Sequence, residues 1–209
     1  LVPSPVPVAD LSLHVTPELI QAERELADKP YFSDAYLAQL ALLRQLAEKG
    51  PVIGRFLMHA AVLEYGGRAY AFTAPSGTGK STHLRLWHRT LGGAVRAVNG
   101  DKPLLHVTNT GVTVYGTPWD GKEHLSTNIF CPLKALCILT RSETNHIGRI
   151  SKKEALPTLC QQVYRPAGSA VLAKMMALVD RLGSSVPLYR LGCNMEPEAA
   201  LVAYHGMNQ

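Results

Sequence analysis

The chain has 209 residues, of which 46% are hydrophobic and 18% charged; that is length and composition enough for one buried core, and it excludes a disordered tract. Its net charge of +5 suits an anionic small ligand, whereas no run of Lys and Arg exceeds two residues and aromatics are only 7%, so no nucleic-acid partner is expected. No apolar stretch reaches bilayer length and no leader pattern is visible, which reads as a cytoplasmic chain with no membrane partner; because it begins at Leu1 and not Met, residues are expected to precede it.

Leu1-Val-Pro-Ser-Pro-Val-Pro7 predicts an extended opening. A first helix is expected from a Thr16 cap with Pro17 in the first helical position, running to about Asp28. A second starts near Ser33, where Leu37, Leu40, Ala41, Leu43 and Leu46 form one apolar stripe, and Gly50-Pro51 ends it. Residues 1–50 therefore read as an extended and helical appendage, and residues 51–209 as the catalytic body. In the body, residues 58–65 and 68–73 read as strands joined by the tight turn Gly66-Gly67. A glycine-rich loop and a helix over residues 80–91 follow. Strands are expected at 94–98, 104–107 and 112–115, a central one at 135–139, and a weaker one at 146–150. Helices at 153–163 and 169–182, a strand at 186–191 and a helix from about Pro197 complete the reading. The four cysteines, Cys131, Cys137, Cys160 and Cys193, lack metal-ligand spacing and read as reduced thiols.

The chemistry concentrates in Ala74-Pro75-Ser76-Gly77-Thr78-Gly79-Lys80-Ser81. A phosphate-binding loop reads Gly-x-x-x-x-Gly-Lys-[Ser/Thr], and only its first position differs here. Glycines let successive backbone N–H groups face the phosphates, Lys80 reaches the outer phosphates, and Ser81 offers its hydroxyl to Mg²⁺. An apolar strand before the loop and a helix after it complete the context, so Ser76, Gly77, Thr78, Gly79, Lys80, Ser81 and Thr82 are the expected ATP-binding residues. Asp101 follows a short apolar strand, where an acid can hold Mg²⁺ or take a proton from an attacking hydroxyl; an Asn99-Gly100-Asp101 turn is the plainer reading. His59 sits on the strand before the hairpin, as a functional or a packing histidine. In Gly116-Thr-Pro-Trp-Asp-Gly-Lys-Glu123, Lys122 either stabilises phosphoryl charge or belongs to a solvated pair. Arg165 either meets a phosphate or neutralises a helix end. Trp87 and His88 read as packing or surface.

With His59 before the loop and Asp101 after it, residues 52–209 resemble the catalytic domain of HPr kinase/phosphorylase, itself related to the nucleotide half of ATP-dependent phosphoenolpyruvate carboxykinase. Tyr115-Gly-Thr-Pro-Trp-Asp-Gly-Lys-Glu123 and Val186-Pro-Leu-Tyr-Arg-Leu-Gly-Cys-Asn194 resemble stretches of HPr-kinase-related proteins, some of which phosphorylate peptides. The resemblance implies an α/β fold with a twisted mixed sheet, a phosphate loop and flanking helices. It implies Asp101 as base or metal partner and His59 near the phosphates. The family's acidic pair is here Asn99-Gly100-Asp101, its Glu-x-Arg-Gly segment is Val112-Thr-Val-Tyr-Gly116, and its later Arg-Arg-Gly signature is missing. The expectation is an ATP- and Mg²⁺-dependent kinase acting on a serine of a peptide or protein. A nucleotide-binding regulatory module and a small-molecule kinase are the rivals. The stripe at Leu37, Leu40 and Leu43 suits a second copy of the chain as well as a core.

Overall fold

Two capped helices open the described part of the chain, which in this computed structural model comprises residues 9–29 and 31–209. The extended opening expected at residues 1–7 lies outside it. The Thr16 hydroxyl accepts from the Leu19 N–H and starts α1 (Pro17–Leu26); the Ser33 hydroxyl accepts from Tyr36 and starts α2 (Asp34–Lys49). Each cap satisfies an amide that the helix itself cannot. The buried Glu23 of α1 takes two bonds from Arg44 of α2, at 2.5 and 2.9 Å, tying the pair together. Leu43 and Ala47 then lay α2 against Leu57, so part of the apolar stripe is spent on the body.

The body is a nine-stranded mixed sheet, counted among the described residues. After a single 3₁₀ turn come β1 (Arg55–Leu57), the hairpin β2 (Ala60–Tyr65) and β3 (Arg68–Thr73), and then α3 (Lys80–Leu91). There follow β4 (Arg96–Asn99), β5 (Leu104–Val107), β6 (Val112–Tyr115), β7 (Phe130–Arg141) and β8 (His146–Arg149). Helices α4 (Lys152–Gln161) and α5 (Ser169–Ser185), strand β9 (Leu188–Cys193) and α6 (Glu198–Met207) close the chain. The path runs β1-β5-β6-β7-β3-β2-β4, with β9 on β7 and β8 on β9. Strand β7 is parallel to both β3 and β9, while its first residues pair antiparallel with β6.

That double role sets the layers. Along β7, Leu136 and Ile138 enter a core with Ala155 and Leu159 of α4 and Met175, Val179 and Leu182 of α5. Their neighbours Ala135, Cys137 and Leu139 enter a second core with Leu84 and Trp87 of α3 and Ala199 and Ala203 of α6. Alternating side chains thus feed both faces, as a strand covered on both sides requires. Trp87 is fully buried there, and truncating a buried aromatic of this kind costs about 3–5 kcal/mol. No helix among the described residues is long and apolar enough to cross a membrane.

Candidate functional site

Strand β3 delivers the chain to the glycine-rich loop, and α3 begins at Lys80. Gly77 (φ 78°) and Gly79 (φ 117°) both take left-handed backbone, which a side chain would strain; this explains the glycines in structural terms. Lys80 is buried, and its ammonium donates to the Ala74 carbonyl at 2.9 Å and the Pro75 carbonyl at 3.4 Å. Burial lowers its pKa, with Asp101 opposing that shift.

Four segments meet at one cavity of about 500 Å³. The loop and α3 contribute Ser76, Gly77, Gly79, Lys80, Ser81 and Thr82, and His59 comes from the residue before β2. Asp101 comes from the turn after β4, and Asp120 to Glu123 from the loop after β6. Sequence-predicted residues from distant segments, His59, Lys80, Ser81, Asp101 and Lys122, therefore line a common space. Thr78 lies outside this cavity; its hydroxyl donates to the Pro75 carbonyl at 2.9 Å. Arg165 also lies outside it, exposed, with its guanidinium donating to the Cys160 carbonyl at 3.4 Å near the end of α4. Of its two sequence readings, the helix-end contact is the one present.

His59 and Asp101 are held side by side. The Ala60 N–H donates to the Asp101 carbonyl at 3.0 Å, and the His59 N–H to the Gln162 carbonyl at 2.7 Å. The His59 ring shares its Nδ1 with Gln162 Oε1 at 2.8 Å, so Nδ1 carries a proton and Nε2 lies 3.4 Å from Asp101 Oδ1. Burial lowers the His59 pKa, Lys80 adds to this, and the Gln162 bond and Asp101 partly offset it. Lys102 donates to the other carboxylate oxygen, Oδ2, at 2.5 Å.

The turn that presents Asp101 is organised by Asn99. Its fully buried amide donates to the Thr117 carbonyl (2.9 Å) and hydroxyl (3.0 Å), and its oxygen accepts from the Asp101 N–H (2.9 Å) and Lys102 N–H (2.7 Å). All four hydrogen-bonding positions of the side chain are used. The loop after β6 closes over this turn: Gly121 has φ 77°, and a Cβ there would sit 3.0 Å from that of Asp101. Trp119 donates from its indole to the Gln39 carbonyl of α2 at 3.1 Å, and Glu123 pairs with Arg85 of α3. The loop is thus tied to α2 at one end and to α3 at the other.

No family model matches the chain, and no curated protein is similar to it in sequence. Among solved structures the chain is similar to the HPr(Ser) kinase/phosphatase from Coxiella burnetii, with 12% identity over 73% of this chain and 94% of that one, at a TM-score of 0.39.

Several lining or supporting residues had no local signal. Asp120 lies within a motif but is aimed by folding, its Oδ2 accepting from Ser126 at 2.8 Å and its Oδ1 lying 3.4 Å from His124 Nδ1. Gln162 is 103 residues from the His59 ring it holds. Lys102 adjoins Asp101 in the chain, but its ion pair with that carboxylate is seen only in the fold. For a divalent cation the donors Ser81 Oγ and Asp101 are hard oxygens on one cavity, which fits Mg²⁺, a metal that takes one or two carboxylates plus substrate phosphates. Among the described residues no group of three or more His, Cys, Asp or Glu is spaced to hold a metal by itself.

Proposed function

We propose that the protein is a kinase that transfers the γ-phosphoryl group of ATP to a hydroxyl, on a serine of a peptide or protein. The observation that carries this reading is the convergence of Lys80, Ser81, His59 and Asp101 on one cavity. The loop amides and the N-terminal end of α3 would hold the phosphates, and Lys80, moving off the Ala74 carbonyl, would neutralise their charge. Ser81 and Asp101 would hold Mg²⁺, which supplies charge neutralisation when bound. Asp101 would accept the proton of the acceptor hydroxyl as its oxygen bonds to phosphorus and the bond to the β-phosphate oxygen breaks. The Gln162 bond fixes the His59 ring beside Asp101, where a neutral ring would offer the lone pair of Nε2 to the acceptor hydroxyl or to a metal-bound water. Lys122, exposed on the opposite loop, would meet charge developing on the transferred group.

The test uses purified protein, Mg²⁺ with γ-labelled ATP, and a randomised library of serine-containing peptides. Wild type should label peptides. Lys80→Ala should lose ATP binding, while Asp101→Asn should bind ATP and fail to transfer. Undiminished transfer by Asp101→Asn would remove Asp101 as the base. A binding-only regulatory module is the second reading, favoured by the Lys102 ion pair that occupies Asp101 Oδ2; ATP bound but never consumed would select it.

A further inference from the structure

A smaller cavity, of about 190 Å³, lies between the helical appendage and the body. His59 lines both it and the first cavity, so the two meet at that residue. Lys102 lines it too, and its ammonium donates to Asp101 Oδ2 at 2.5 Å. A group lodged here is therefore one side chain away from the carboxylate proposed to take the proton.

Three segments distant in sequence supply the walls. Leu43 of α2 is the first, Leu57 and Met58 at the end of β1 the second, and Val163 and Tyr164 after α4 the third. The backbone of these segments is already engaged. The Met58 N–H donates to the Pro103 carbonyl at 3.3 Å, the His59 N–H to Gln162 at 2.7 Å, and the Tyr164 N–H to Leu57 at 3.4 Å. The nearby cations are engaged as well: Lys102 pairs with Asp101, and Arg44 pairs with Glu23 and donates to the Tyr164 hydroxyl at 3.0 Å. What remains for a visitor is apolar surface. Gln161 is exposed, and His59, Lys102 and Tyr164 are half-buried, so solvent reaches the cavity along that edge.

We propose that this cavity takes an apolar side chain of the acceptor peptide, from a residue within two positions of the serine, and so selects which serines are phosphorylated. The assignment rests on the kinase reading of the first cavity. The size fits: an apolar cavity of about 150 Å³ takes benzene, so this one holds a leucine or phenylalanine side chain. The reach fits too, since each extended residue advances about 3.3–3.6 Å and only the His59 side chain separates the two spaces. A charged side chain would meet no unpaired opposite charge among the lining residues, and its desolvation would go uncompensated. The appendage thereby acquires a part in substrate choice. Its α2 supplies Leu43 and accepts the Trp119 indole N–H at the Gln39 carbonyl, while the Trp119 carbonyl accepts from the Lys102 N–H at 3.1 Å.

The test is labelling with Mg²⁺ and γ-labelled ATP, using serine-centred peptide pools. In each pool one of the two positions on either side of the serine is fixed as Ala, Leu, Phe or Glu. At one of these positions wild type should label the Leu or Phe pool at least about tenfold faster than the Ala pool, and the Glu pool no faster than Ala. Leu43→Phe fills the cavity from the α2 side and lies outside the first cavity. It should lose the apolar preference and label the Ala pools at the wild-type rate. Wild-type labelling with no apolar preference, or with a preference for Glu, would overturn the proposal without any variant needing to fold. So would an apolar preference kept by a Leu43→Phe protein that melts as wild type does. Failure of the kinase reading looks different: ATP binds and no pool is labelled, which removes that reading and the role of this cavity together.

Discussion

Asn99→Ala removes the side chain that shapes the Asp101 turn, and its cost can be worked bond by bond. Four hydrogen bonds disappear. The Lys102 N–H keeps a second acceptor, the Trp119 carbonyl at 3.1 Å, so its loss is nearly free. The Thr117 hydroxyl still donates to the Lys102 carbonyl at 2.7 Å. The Asp101 N–H and the Thr117 carbonyl lose the partners the amide gave them. At about 1 kcal/mol per bond, these two effective losses amount to about 2 kcal/mol, which for a chain of this length lowers Tm by about 4–8 °C. The functional effect should be lopsided. ATP affinity, set on the opposite wall by the glycine-rich loop, should change less than about threefold, while transfer should fall at least tenfold because Asp101 is no longer aimed. Thermal melting, ATP titration and peptide labelling on one preparation provide the three readouts. A variant that melts within about 2 °C of wild type and transfers at full rate would refute the claim that Asn99 positions Asp101.

Burial drives the His83 pKa down from 6.5 to about 3, so the fold keeps that ring neutral where the unfolded chain would charge it. The unfolded state binds the extra proton between these values, so stability falls as pH drops through 6.5 and levels off near 3, losing about 2 kcal/mol between pH 7.5 and 5. His59 and His106 are shifted the same way, so the measurement is the difference in urea-unfolding free energy between wild type and His83→Gln across that range; parallel curves would refute the assignment. Lys122→Ala should lower transfer about tenfold without weakening ATP binding, and an unchanged rate would return Lys122 to the solvated surface.

What the sequence disclosed follows how local each signal is. Caps, turns and short alternating runs are decided within a few residues, and Arg68–Thr73, Lys80–Leu91, Leu104–Val107 and Val112–Tyr115 match their expected bounds. Strand β7 was legible only as residues 135–139, because its first half alternates buried and exposed positions around Pro132 and Lys134. Only the second half, covered on both faces, reads as a continuous apolar run. The three-residue β1 has too little pattern to be seen, and it owes its existence to pairing with β5 across about fifty residues. The site divides the same way. Lys80 and Ser81 announce themselves because the glycine-rich motif that carries them is contiguous. Asn99 looked like a plain turn residue, and it is one, but its partner Thr117 is 18 residues away.

The charge around the first cavity bears on the apparent shortage of acids after β4. Asn99 cannot be counted as a lost carboxylate, since its amide N–H groups hold Thr117 and an acid there would turn a lone pair on that carbonyl. Carboxylates reach the cavity by another route, through Asp120 and Glu123 on the loop after β6. Lining the space, Lys80 and Lys122 face Asp101, Asp120 and Glu123, with Lys102 and Arg85 bonded to Asp101 and Glu123 from outside. A polyphosphate entering such a mixed field is opposed by the carboxylates as much as it is drawn by the ammonium groups. The balance would tip toward binding if a divalent cation entered with the phosphates and met the carboxylate side, the arrangement the proposed transfer needs, with Lys80 on one flank of the phosphates and Asp101 on the other.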